Sequence, residues 1–78
     1  MNIYGYAKEK DLNEDGLMNM SEVTIVGTKE KLKKIAKFID EYADKLYDEN
    51  DHKHFCDYDK SHDRKSSDII IMKEKEIN

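Results

Sequence analysis

Apolar residues recur along this chain with two periods. One is the two-residue alternation of strands, and the other is the roughly 3.6-residue spacing of a helix buried along one side. Ile3-Tyr4-Gly5-Tyr6-Ala7 predicts a short strand with Ile3, Gly5 and Ala7 on one face and Tyr4 and Tyr6 on the other. Residues 8–20 are polar and turn-like around Asn13-Glu14-Asp15-Gly16. The β-branched run within 21–27 predicts a second strand. Thr28 then suits an N-cap, its hydroxyl accepting from a first-turn amide. Leu32, Ile35, Ala36, Ile39, Tyr42, Ala43 and Leu46 follow one helical stripe, with Phe38 at its flank. This spacing predicts a helix over about 29–47, ending near Asn50, a residue that tolerates the left-handed conformation. A third strand is predicted over 54–58, a polar hairpin over 60–67, a fourth strand over 68–73 and a fraying tail over 74–78.

The predicted order is β-β-α-β-β, an α+β class. Its economical arrangement is one four-stranded, mostly antiparallel sheet covered on one face by one long helix, within a single domain spanning 1–78. One helix covers one face. The other would carry Tyr4 and Tyr6, with Thr24 or Val26 and Ile70 or Met72 according to register, as a contact surface for a partner or a second copy.

Composition places that fold near the limit of stability. Leu, Ile, Val and Phe together make 16 of 78 residues, about the one-fifth level below which chains tend to stay unfolded. A net charge of only −4 and the regular apolar pattern favour folding nonetheless. The single cysteine, Cys56, leaves no intrachain disulfide and fits a reducing compartment. Residues 1–10 lack the apolar core of a cleaved signal, and the longest apolar run, 69–72, is far below the ~20 residues of a membrane span. The expectation is a cytoplasmic protein. With 14 basic against 18 acidic residues, the chain lacks the positive footprint of a nucleic-acid binder.

Two segments carry candidate chemistry. Residues 11–22 match the calcium-loop pattern D-x-N-x-D-G-x5-E, with Asp11, Asn13, Asp15, Gly16 and Glu22 at its fixed positions. Such a loop lies between two helices, whereas these flanks predict strands, so the local context opposes calcium. The second segment runs from His52 to Asp59. On a strand, His52, His54, Cys56 and Tyr58 project to one side, offering two imidazoles and a thiol, with His62 nearby. That spacing matches no closed zinc pattern. The chain shows neither a Gly-rich phosphate loop nor a localised catalytic set. The reading is therefore a non-enzyme without a cofactor, and a small metal- or calcium-binding domain is the alternative.

Charge order adds more. The predicted helix carries Lys29, Lys31, Lys33, Lys34 and Lys37 early and Asp40, Glu41 and Asp44 late, the reverse of what the helix dipole favours. Between 40 and 59 lie eight acids and two lysines, a formal net of −6. Such a face can steer a basic protein. The candidate partner-binding residues are Asp40, Glu41, Asp44, Asp48, Glu49, Asp51, His52, His54, Asp57 and Asp59, joined by Tyr4 and Tyr6 on the uncovered sheet face.

Residues 21–32, Ile35-Ala36-Lys37-Phe38, His52-Lys53-His54-Phe55 and Asp68-Ile69-Ile70-Ile71 together resemble immunity protein family 32 of bacterial polymorphic toxin systems. The resemblance covers roughly 18–72 and rests on a strand, a G-T-x-E-x-L helix start and an H-x-H-F segment. It implies an α+β protein that binds and neutralises a toxin and needs no cofactor. From charge, the toxin would be one with a basic cleft, such as a nuclease. A homodimeric regulatory module using the free sheet face is a further alternative.

Overall fold

The computed structural model describes residues 1–63 and 65–74. Its elements are β1 (Asn2–Leu12), β2 (Met18–Val26), α1 (Lys29–Ala43), β3 (His52–His54), the single helical turn α2 (Phe55–Tyr58) and β4 (Ile70–Met72). The α+β class holds. The sheet arrangement differs from the expected one: β1 pairs with β2 and β3 with β4, both antiparallel, in two separate two-stranded sheets.

The hairpin β1–β2 is longer than predicted because β1 runs on to Leu12 and β2 starts at Met18, with breaks in register between Tyr6 and Ala7 and between Ala7 and Leu12. Ile3 faces Ile25 and Gly5 faces Val23 on one side, while Tyr4 faces Thr24 and Tyr6 faces Glu22 on the other. Asn13 shapes its tip. Its side-chain oxygen accepts from the Asp15 and Leu17 amides, and its backbone N–H donates to the Leu17 carbonyl. Gly16 closes the turn at φ +78°, a conformation glycine adopts without steric cost. Nearly every residue of this hairpin is exposed, on both faces.

Thr28 caps α1 as predicted, accepting from the Lys31 amide. The helix ends earlier, at Ala43, and Asn50 does take the left-handed conformation, at φ 71°, six residues beyond Asp44. The buried stripe is also rotated. Ile35 and Phe38 are its buried members, with Tyr42 half-buried, whereas Leu32 and Ile39 stay largely exposed. Phe38 moves from flank to centre because its partner is a second ring. Phe55 is fully buried and meets Phe38 edge-on at 5.5 Å between centroids. Met1, Tyr42, Tyr58, Ile69 and Ile71 close around this small core.

The predicted third strand is corrected in the same way. It ends at His54, and 55–58 coil into α2. The Phe55 N–H donates to the Ile69 carbonyl, and the Cys56 N–H donates to the Asp68 carboxylate, starting a turn where alternation would have continued a strand. Of the predicted 60–67 hairpin, residue 64 lies outside the described residues, as do 75–78 of the predicted frayed tail. Among the described residues, no helix is long and apolar enough to cross a membrane.

Candidate functional site

The acidic segment occupies the last turns of α1, the connection to β3, and α2. Asp40, Glu41, Asp44, Asp48, Glu49 and Asp57 are exposed, and His52 is exposed beside them. Asp40 and Asp44 lie one helical turn apart and share a face of α1. Glu41 is partly engaged, by Lys37 at 3.9 Å and by the Tyr58 hydroxyl. Burial, together with that nearby carboxylate, raises the Tyr58 phenol above its ordinary pKa.

Asp51 shapes the connection. Its carboxylate accepts from the Asp48 and Tyr47 amides at 3.0 and 3.1 Å. The Asp48 amide, aided by Tyr47 and the nearby Lys53 and Lys73, holds this carboxyl below the usual range although partial burial opposes it. Lys73 ties the same turn to β4, donating to the Tyr47 carbonyl at 2.7 Å. The turn lifts the Tyr47 ring outward, 71% exposed among the acids. Tyr47 was not singled out by sequence reasoning. The available signal was an aromatic just outside the apolar stripe.

Asp59 stands apart from the other candidates because it is buried. Its carboxylate accepts from Lys31 Nζ at 2.7 Å, from Ser61 Oγ at 2.7 Å and from the Ser61 amide at 3.1 Å, with Lys34 Nζ at 3.4 Å. Lys31 foremost, with Ser61, holds its pKa far below the usual carboxylate range. Asp59 thus fastens the start of α1 to the end of α2. His62 is buried behind it, Nε2 donating to the Ser67 carbonyl at 2.9 Å with its ring edge-on to Phe55.

The His52-to-Cys56 cluster is rearranged relative to a strand. The rings of His52 and His54 lie 5.3 Å apart, but α2 carries Cys56 away from strand alternation, and Asp68 joins the group. Asp68 Oδ2 meets His54 Nδ1 at 3.0 Å, while Oδ1 accepts from the Cys56 and Ile69 amides, each at 2.9 Å. Burial pushes the Asp68 carboxyl up, but the bonds from His54 and Cys56 outweigh it and hold it below the ordinary value. Sequence reasoning had Asp68 only as a strand start; fourteen residues separate it from His54.

Around these groups lie shallow cavities. One of about 310 Å³ is lined by His52, Lys53 and His54 of β3 with Phe38, Tyr42, Asp57 and Tyr58. Another, of about 460 Å³, is lined by Lys45, Tyr47, Asn50, Asp51, His52 and Lys53. His52 and Lys53 belong to both, so the end of α1, the connection and β3 form one continuous surface.

Tyr4 and Tyr6 lie outside this surface, 60% and 71% exposed on one face of the β1–β2 hairpin. The calcium-like residues divide between its tip and its strands. Glu22 is paired with Tyr6, four residues up β2 from Met18 and so roughly 13 Å along the strand from the tip. It therefore does not close the loop that Asp11, Asn13 and Asp15 begin.

A sequence model of one protein family, immunity protein 32, matches residues 22–74. The match covers the acidic segment, the core and the His54–Cys56–Asp68 group, and it leaves β1 and the hairpin tip outside. No curated protein and no solved structure matches the chain.

Proposed function

The chain belongs to the immunity protein 32 family, and we propose that it is a cytoplasmic, non-catalytic inhibitor that neutralises a toxin by binding it. The observation that carries this reading is the family match itself, which spans the whole folded body from the middle of β2 to just past β4. The docking face is the acidic one. Asp40, Glu41, Asp44, Asp48, Glu49, Asp51 and Asp57 supply its charge, and His52 and His54 line its centre. Tyr47 supplies the exposed aromatic that binding hot spots favour. Asp59 supports this face from beneath by holding α2 to α1. The toxin is one with a basic cleft, a nuclease being the leading class, because opposite potentials steer association and fix its register.

The test is recovery of a partner on tagged protein from its own cells, washed at low and then high salt. A basic protein that binds stoichiometrically, elutes with salt and loses its toxicity in the presence of this chain supports the proposal. Binding that ignores salt sinks the electrostatic part. Asp44→Lys with Asp48→Lys is expected to slow association at least about tenfold, within the range that electrostatic steering spans.

A second reading rests on the hairpin. Tyr4 and Tyr6 with Val26 on one face, and Val23 with Ile25 on the other, are exposed together, and this pattern suits self-association. Light scattering at high concentration distinguishes the two, since a strict monomer excludes the homodimer.

A further inference from the structure

We propose that His54, Cys56 and Asp68 form a three-donor site for a zinc-type divalent cation. The three offer a ring nitrogen, a thiol sulfur and a carboxylate oxygen, all within 4.8 Å of one another and all half-buried. Among the described residues, this is the one group of three such donors so gathered. A tetrahedral zinc has edges of about 3.3–3.6 Å between N, O and S ligands, from bond lengths near 2.0–2.3 Å. The His54 Nδ1 to Asp68 Oδ2 separation of 3.0 Å is already close to such an edge. Since no two donors are more than 4.8 Å apart, the half-buried Cys56 side chain can complete the set by a small rotamer adjustment.

The backbone prepares the geometry. Asp68 Oδ1 is held by two amides, those of Cys56 and Ile69, which leaves Oδ2 aimed at His54. The ligands come from the end of β3, the first turn of α2 and the approach to β4, so one ion would bind three segments together. A cavity of about 480 Å³, lined by Cys56, Asp57, Lys60, His62, Ser66 and Asp68, adjoins two of the donors. It leaves room for water at a fourth position, the arrangement of open zinc sites. Sulfur with imidazole selects zinc over magnesium and calcium, which prefer all-oxygen shells. In the metal-free molecule the same contacts serve as a hydrogen-bonded tie, with the proton between His54 and Asp68 lying where the cation would sit.

The test uses the reduced full chain and two metal probes. Cobalt(II) is expected to give a thiolate charge-transfer band that saturates at one equivalent. Zinc, competed against a chromophoric chelator, is expected to bind at the same stoichiometry and raise the thermal midpoint by several degrees. Cys56→Ser keeps the amide that Asp68 holds, and its fold is checked by circular dichroism without metal. It should abolish the band and weaken zinc by at least 10–100-fold, the typical loss when even supporting residues are removed. Glu9→Gln, on the exposed β1 strand and outside both the donor set and the acidic face, should leave affinity unchanged. No uptake at one equivalent, uptake indifferent to Cys56→Ser, or loss in Glu9→Gln would each overturn the site.

Discussion

Asp59 shows how a single side chain can matter more for stability than for contact. Lys31, Lys34 and Ser61 all donate to a carboxylate that is nearly sealed from solvent. Lys31→Met removes the shortest of the lysine bonds and is expected to cost roughly 1.5–3 kcal/mol, the range for hydrogen bonds to a charged group. The lower half applies, because Lys34 and Ser61 remain. The pH dependence has a definite sign. The folded carboxyl sits below its unfolded value near 3.9. Its contribution is therefore full above pH ~4 and is lost as pH falls below that value towards the depressed folded pKa. The gap in urea midpoint between wild type and Lys31→Met should be widest at neutral pH and should shrink between about pH 4 and pH 2. A gap that stays constant to pH 2 would mean that Lys31 acts through packing on Phe55, whose ring it also approaches at 5.6 Å. The anionic, charge-rich stretch was legible from composition. That one of its acids is an internal tie was not, because both lysines lie at least 25 residues away.

At the scale of elements, the helix was the most legible part and the third strand the least. The Thr28 cap and the 3–4 spacing are local signals, carried by residues within a turn of one another. Thr28→Ala is expected to cost about 1 kcal/mol, read as a lower thermal midpoint with the folded spectrum intact. Phe55-Cys56-Asp57-Tyr58 carries no such local signal. Its helical turn is fixed by a carbonyl and a carboxylate from 68–69, and its ring by Phe38, so tertiary contact overrides strand propensity. The hairpin offers a different case. A Cβ on Gly5 would lie 2.6 Å from the Glu22 carbonyl oxygen and 2.5 Å from Met20 Cε. The methionine can swing aside, but the carbonyl belongs to the paired strand. Gly5→Ala should loosen the ladder by about 1–3 kcal/mol, the usual cost of overpacking. Amide exchange in β1 and β2 should then speed up while α1 keeps its protection, and an unchanged hairpin would refute the clash.

Across the whole molecule, burial is concentrated in one half. Ile35, Phe38 and Phe55 are the buried apolar residues among those described, and all three lie in α1 or α2. The β1–β2 hairpin meets this body at Met1, through Gly27 into α1, and at its tip, where Asp15 and Leu17 line a cavity of about 440 Å³ with His52, His54, Ile70 and Met72, but its strands are exposed on both faces. An isolated two-stranded hairpin is marginal in water. The single expected sheet failed for the same reason: β3 and β4 are three residues each and pair only with one another, leaving the long hairpin without a sheet to extend. Two tiers of stability follow. The body should open only by global unfolding, while the hairpin opens locally at far lower cost. Phe55→Ala separates the tiers, because emptying a fully buried ring site costs about 3–5 kcal/mol. A domain of this size has only about 4–12 kcal/mol in total, at 0.05–0.15 kcal/mol per residue. The variant should lose the cooperative transition of the body, with α1 amides exchanging nearly as fast as those of the hairpin. In the wild type, hydrogen exchange should show β1 and β2 exchanging well before α1, though still measurably slower than in Gly5→Ala. Addition of the proposed toxin partner then has a clear reading. Protection that rises only over 40–57 places the contact on the acidic face alone, whereas protection that spreads into β1 and β2 shows the hairpin ordering on the partner as well.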